Sequence, residues 1–143
     1  MIPVDIRIEL GGWNEVRELA TPIRFIVFVE EQKVPADIEL DHWDARSLHA
    51  IARDAAGNPV GTGRLLPDGH IGRMAVLASA RGLGVGRALL RSLMDAARER
   101  GMQQVELSAQ THAVSFYRRE GFVAFGDEYL EAGIPHVDMR RAL

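Results

Sequence analysis

Apolar and polar residues alternate over Ile6-Arg7-Ile8-Glu9-Leu10, which predicts a strand with one buried face. Gly11-Gly12 breaks it. Residues 13–29 are broadly helical, with a kink or restart expected at Thr21-Pro22, where Thr can cap and Pro suits a first helical position. Ile23, Phe25, Ile26, Val27, Phe28 and Val29 form a dense apolar block, so this segment is expected to be mostly buried. Residues 30–35 leave the helix. Asp37, Glu39, Asp41 and Asp44 then surround Trp43 in an acidic loop. Alternation returns over residues 48–54, and 60–66 reads as the partner strand of a hairpin across the turn Ala56-Gly57-Asn58-Pro59. A third strand, 70–77, follows the turn Pro67-Asp68-Gly69.

The period then changes. Gly82, Gly84 and Gly86 alternate with Leu83, Val85 and Arg87, and from Val85 apolar residues recur at helical spacing. Val85, Leu89, Leu93 and Ala97 share one side with Leu90 and Met94 beside them. Arg91, Asp95, Arg98 and Glu99 lie on or near the other, and Gly101 supplies a stop. A short strand at 104–108 completes a βαβ unit, so it should lie parallel to strand 70–77. Residues 111–120 read as a short helix ended by Gly121, and 122–125 as a short strand. Residues 127–135 read as a polar loop and 136–140 as the last strand. No repeat, linker or low-complexity tract divides the chain, so one domain over 1–143 is expected.

Composition narrows the classes. The chain has 143 residues with 47% hydrophobic and 26% charged content, ordinary for a soluble globular protein with a substantial core. A formal net charge of −3 offers no basic surplus to displace counterions, which argues against nucleic acid as partner. Lys33 is the only lysine, and there is no cysteine, which excludes disulfides, thiolate metal sites and a Cys nucleophile. His42, His49, His70 and His112 show no metal-ligand spacing, so no metal is expected. No run approaches the ~20 apolar residues of a membrane span, and charges come too early at the N-terminus for a secretory leader. The expected location is the cytoplasm, with no membrane partner.

The glycine turn carries the first chemistry. Glycine at every second position holds a tight, partly left-handed turn and lets a ligand approach the main chain. Free N–H groups of the following helix then sit next to Arg81 and Arg87, a phosphate-binding arrangement. The spacing is not the G-x-G-x-x-G of a dinucleotide site, and Arg87-Ala88 after Gly86 is not the Lys-Ser/Thr of a P-loop. A plain tight turn before a core helix is the competing reading.

What remains, R-x-x-G-x-G filled by Arg81, Gly84 and Gly86, resembles the pyrophosphate loop of the GNAT acetyltransferases. A second motif downstream, SFYRREGF at 115–122, is similar to that family's short helix, which carries a Tyr and closes on Gly-Phe. FVEEQKVP at 28–35, Ala109-Gln110 and AGIPHVDM at 132–139 resemble the ElaA/YjcF branch. The resemblance implies an α/β fold, the GNAT acyl-CoA N-acyltransferase fold: a mixed central sheet with splayed parallel strands, flanked by helices. Acetyl-CoA as co-substrate would lie between those strands.

On that basis the strand Arg73–Val76 would offer main-chain groups to the pantetheine, with Met74, Ala75 and Val76 as the contacts and Met74 and Val76 as the chosen edge. Amides of Gly82, Leu83, Gly84, Val85, Gly86 and Arg87 would hold the pyrophosphate, with Arg81 and Arg87 as further anion contacts. Gln110 stands where many relatives have Asn, Phe116 belongs to the same helix, and Tyr117 matches the Tyr near the thioester sulfur. Tyr117 would protonate the leaving thiolate, its alternative being a core aromatic. Strand 71–76 lacks the Glu that serves as base in several relatives. Glu31, Asp41, Glu106, His136 or a water chain are the candidates in its place, His136 having the ordinary titration range nearest neutrality but also the common structural role of a lone histidine. The acidic segment would form a wall of the acceptor pocket that attracts a cationic amine, Glu31 first and Asp41 second; the alternative is a solvated connection, in which Glu31 caps or solvates its loop.

The expected activity is direct transfer of the acetyl group from acetyl-CoA to an amine, a small-molecule substrate. A non-catalytic acyl-CoA-binding or sensing module is the competing class. The acceptor's identity and the oligomeric state stay open, with a homodimer among the options.

Overall fold

The computed structural model describes residues 5–143; the first four residues of the N-terminal stretch lie outside them. Seven strands form one sheet: β1 (Arg7–Gly11), β2 (Leu48–Arg53), β3 (Pro59–Leu65), β4 (His70–Val76), β5 (Gln104–Gln110), β6 (Val123–Glu131) and β7 (Ile134–Ala142). Their spatial order is β1-β2-β3-β4-β5-β7-β6. Every pairing is antiparallel except β4 with β5, which the helix α3 (Val85–Glu99) connects as the period change predicts.

Helices cover both faces, and the strands show why. Ala50 and Ala52 of β2 pack with Leu89, Leu90 and Leu93 of α3. Ile51, pointing the other way as strand alternation requires, packs on Val16 and Ala20 of α1 (Trp13–Arg24). β4 changes phase part-way. Ile71 belongs to the α3 side, but Ala75, four residues on, packs with Ile23 and Val27 on the α1 side. The cause is a β-bulge: Thr62 pairs with Ala75 and Arg64 with Gly72, so Gly63 alone faces Arg73 and Met74. Arg73 takes φ +48° there. Gly63 permits the bulge, since a Cβ on it would sit 2.5 Å from the Met74 sulfur.

The parallel pair is brief. Only His70 with Glu106 and Ile71 with Leu107 are partners. Beyond them β4 stays on β3 and β5 stays on β7, as far as Gln110 opposite His136. The strands therefore part into a V that opens toward their C-terminal ends.

Three segments differ from the sequence reading. The first helix does not restart at Pro22. α1 runs through it and widens into a π-helix, Phe25–Glu31, so Glu30 and Glu31 are helical. Proline removes one N–H from the ladder, and the widened turn follows it directly. Ile23 and Arg24 of α1 are buried, but the π-helix buries Val27 and leaves Phe25 and Ile26 exposed, so the apolar block is not mostly buried. The acidic segment is not all loop either: α2 (Ala36–Glu39) and a 3-10 turn (Asp44–Arg46) break it up, and Glu39 and Asp44 are buried. The expected polar loop at 127–135 is the tip of a hairpin. β6 runs to Glu131 and β7 starts at Ile134, leaving Ala132 (φ +51°) and Gly133 (φ +77°) as the turn. Two positive φ angles make the primed turn that suits strand twist.

Candidate functional site

A cavity of about 580 Å³ occupies the V. β4 supplies one wall from Ile71 to Val76, and β5 supplies Leu107, Ser108 and Gln110. The π-helix adds Val27, Phe28, Glu31 and Gln32. Tyr117, from α4 (Val114–Arg119), and His136, Glu131 and Ile134, from the β6–β7 hairpin, close the remaining sides.

The glycine loop stands at one rim. A 3-10 turn, Ala78–Ala80, leads from β4 into it. Gly82 and Gly84 both have φ near +80°, and Gly84 is the left-handed N-cap of α3. No side chain caps that helix start, so its first N–H groups are left for a ligand or solvent. Gly86 has ordinary helical φ. A Cβ on it would approach only Phe116, at 3.8 Å, and Val76, at 3.9 Å. The reason for glycine there lies in the space above the helix rather than in protein packing. Val76 and Arg81 line the cavity itself; Gly82 to Arg87 are not among its lining residues.

Several expected anion contacts are engaged with carboxylates. The Arg81 guanidinium donates to both oxygens of Glu31, at 2.9 and 2.8 Å, and through Nε to the Val76 carbonyl at 3.0 Å. Arg87 lies 2.8 Å from Glu120, which Arg91 also contacts at 3.1 Å. The Gln110 amide donates to the Gln32 side chain at 2.8 Å, tying the end of β5 to the π-helix.

Tyr117 lies in the cavity wall with its ring edge-on to Phe116 and Phe122. Burial pushes its phenol up to about 12. A phenol so disfavoured as an anion keeps its proton at neutral pH and suits an acid more than a base.

Asp41 does not itself line this cavity, although its neighbours Glu39 and Arg73 do. Arg64 donates to its two oxygens at 2.7 and 3.0 Å and Arg73 donates at 3.2 Å. Burial alone would raise this carboxyl, but the hydrogen bonds and charge of Arg64, with Arg73 and the Trp43 amide, hold it below its usual range. A carboxylate so held accepts a proton poorly; Asp41 and Asp44 sit in an internal ion-pair cluster, while Glu39 of the same acidic segment also lines the cavity. At its centre Arg24, 1% exposed, donates to Glu39 at 2.5 Å and to Asp44 at 2.7 Å, while Arg64 also reaches Asp44 at 2.9 Å. Arg73, displaced by the bulge, donates to the Glu39 carbonyl at 3.0 Å. The cluster fastens α1, α2 and the acidic segment to β3 and to the bulged part of β4. Glu106 lies away from the cavity too, 3.2 Å from His70.

A sheet whose parallel pair parts around a cavity, with a left-handed glycine start to the crossing helix, is the arrangement the glycine motif implied. The family model of the GNAT acetyltransferase domain matches residues 23–143. The chain belongs to the GNAT acetyltransferases.

Among relatives of this GNAT chain, the uncharacterized N-acetyltransferase YjcF of Bacillus subtilis is 41% identical over 123 residues, covering 83% of this chain and 87% of YjcF. An acyl-CoA N-acyltransferase from Pseudomonas aeruginosa is 35% identical with TM-score 0.83, covering 96% of this chain and 99% of that one. Escherichia coli ElaA is 28% identical with TM-score 0.82, over 95% and 99%. GNAT membership makes the protein an acyltransferase of a fold that uses acyl-CoA. Among the described residues no group of His, Cys, Asp or Glu is arranged to hold a metal, and no helix is long and apolar enough to cross a membrane.

Sequence reasoning missed Gln32, the side chain of Arg73, Ser108, Tyr129, Glu131 and Asp138 in and around this cavity. Tyr129 and Glu131 carried a signal, the alternation of a strand, but Ala132-Gly133 lacks the Asn or Asp that usually marks a two-residue turn. Arg73 carried none, because a bulge is fixed by the partner strand.

Proposed function

We propose that the protein transfers the acetyl group of acetyl-CoA directly to a small-molecule amine. The observation that carries this reading is Tyr117 in the wall of a cavity between parting β4 and β5, beside an uncapped, glycine-started helix. Acetyl-CoA enters the V with its pantetheine along Met74, Ala75 and Val76. Its pyrophosphate meets the amides of Gly82, Leu83, Gly84, Val85, Gly86 and Arg87. The helix dipole contributes ~0.3–1 kcal/mol there, and direct N–H bonds to an anion contribute more. Arg81 joins the phosphates by leaving Glu31, Gln110 lies along the pantetheine, and Phe116 packs beside Gly86 under the loop.

The amine nitrogen attacks the thioester carbonyl, whose oxygen a main-chain N–H near Val76 polarises. The C–S bond breaks as Tyr117 gives its proton to the thiolate. No covalent acyl-enzyme is required, since the chain has no Cys and no Ser in a nucleophile elbow.

Two measurements test the reading together. Acetyl-CoA should stabilise the fold, by ~2.7 kcal/mol at 100 times Kd, and NADH and ATP much less. A panel of amines, assayed for released CoA with mass detection of the product, should give acetylated amine. Stabilisation by NADH and none by CoA, or binding with no acetylated amine, overturns it.

A further inference from the structure

Resting on the proposed acetyl transfer, the cavity's own charges and one fixed tautomer go further than the choice of cofactor. The His136 Nδ1 lies 2.6 Å from the Ile134 carbonyl oxygen. A carbonyl only accepts, so Nδ1 carries the hydrogen, and in the neutral ring Nε2 holds a free lone pair. Nε2 lies 3.6 Å from the Glu131 carboxylate. That is too long for a hydrogen bond of the neutral ring, but it becomes an ion pair once Nε2 takes a proton. The Tyr129 ring stacks on the imidazole at 6.0 Å between centroids, while its hydroxyl donates to Asp138 at 2.6 Å and meets the Ser108 hydroxyl. His136 is 7% exposed and lines the same cavity as Tyr117.

The other carboxylates of that cavity are taken. Glu31 is held by Arg81 and Glu39 by Arg24. Among the described residues Glu131 has no guanidinium partner, and its side chain is 60% exposed at the mouth. The titratable groups about the His136 ring are Glu131 and Tyr129 of β6, Asp138 of β7 and His112 beyond β5, with Glu31 across the cavity.

We propose that Glu131 and His136 form the acceptor end of the site, and that the acceptor is a protonated alkylamine. The Glu131 carboxylate draws in the ammonium, and His136 Nε2 takes one proton from it. The freed nitrogen pair then forms the C–N bond. As the C–S bond breaks, Tyr117 protonates the thiolate and recovers a proton from the new amide nitrogen. The proton on His136 passes to solvent, so ammonium and thioester give amide, thiol and one proton. Both acceptor residues come from the β6–β7 hairpin, whose two-residue turn brings Glu131 close to His136.

The experiment uses acetyl-CoA with butylamine, an ammonium at neutral pH, and with aniline, which is neutral there. Glu131→Gln should raise the butylamine KM about tenfold with little change in kcat, and leave aniline alone. His136→Gln should lower kcat for butylamine by ~10²–10⁴ and spare aniline. Neither should change acetyl-CoA affinity. Nitrogen NMR of the imidazole in the unaltered protein should find Nδ1 protonated and Nε2 bare. A reversed tautomer, or both variants matching the parent with butylamine, overturns this assignment while leaving acetyl transfer intact. Absence of acetylated product from every amine overturns the transfer reading itself.

Discussion

The Arg81 guanidinium grips the Glu31 carboxylate through two hydrogen bonds of 2.8 and 2.9 Å, joining the phosphate loop to the end of the π-helix. Both groups were expected to serve separate ligands, Arg81 an anion and Glu31 an amine. Joined, they make the anion compete with Glu31 for the same guanidinium.

Glu31→Gln should therefore tighten acetyl-CoA binding. An exposed ion pair is worth ~0.2–1 kcal/mol, which corresponds to up to about fivefold in Kd. Arg81→Ala should weaken binding by more than that, since the phosphate loses a charged donor. Calorimetric titration of both variants with acetyl-CoA decides it. A lower kcat for Glu31→Gln at unchanged Kd would restore Glu31 to the acceptor side.

How far this site could be read from the chain alone depended on the range of each interaction. The helix Val85–Glu99 and its buried face were legible because period and glycine stop are local signals. The V was legible only through the motif, since two strands parting after a two-residue pairing leaves no trace in either strand. Asp41 and Asp44 looked like a solvent-facing acidic loop because their partners Arg24, Arg64 and Arg73 lie on other elements. Tyr129 and Glu131 were lost to a turn whose left-handed first residue is Ala132, a residue that seldom takes that conformation.

Gly86→Val should fold and yet lose acetyl-CoA. The new Cβ meets Phe116 and Val76 at ordinary contact distance, so the side chain extends into the space the ligand needs. Gly84→Ala behaves differently: its φ of +83° imposes ~1 kcal/mol or more of strain on any Cβ. Thermal melts with and without acetyl-CoA separate the two. Gly86→Val should keep its own melting temperature and show no ligand shift; a full ligand shift would make the loop purely structural.

Tyr117→Phe removes the hydroxyl and keeps the ring packing against Phe116 and Phe122. Turnover should fall by ~10²–10⁴, toward the lower end because CoA thiolate leaves readily unaided. Acetyl-CoA affinity should be unchanged. Since burial holds the phenol near 12, no loss of kcat between pH 7 and 10 should trace to Tyr117 ionisation. Stopped-flow thiol release across that range, in parent and variant, measures both.

The buried cluster around Arg24 makes the last prediction, on stability. Asp44 accepts from Arg24 at 2.7 and 3.1 Å and from Arg64 at 2.9 Å, and is 2% exposed. Asp44→Asn keeps the shape and removes the charge, leaving two buried guanidiniums with less compensation. Breaking such a pair costs ~3–5 kcal/mol. Burial raises the Asp44 carboxyl, but the hydrogen bonds and charges of Arg24 and Arg64 outweigh it, so the folded value lies below the ordinary one. A lowered folded value means the unfolded chain binds the proton first. The stabilisation is then complete above the unfolded value near 4, and is lost as pH falls through the folded value. Asp41 is lowered in the same sense and remains in the variant. Urea unfolding at pH 7 should show the full gap between parent and Asp44→Asn, and the gap should narrow steadily from pH 4 downward. A gap that stays constant into acid would mean that the Asp44 charge contributes nothing and only its shape matters.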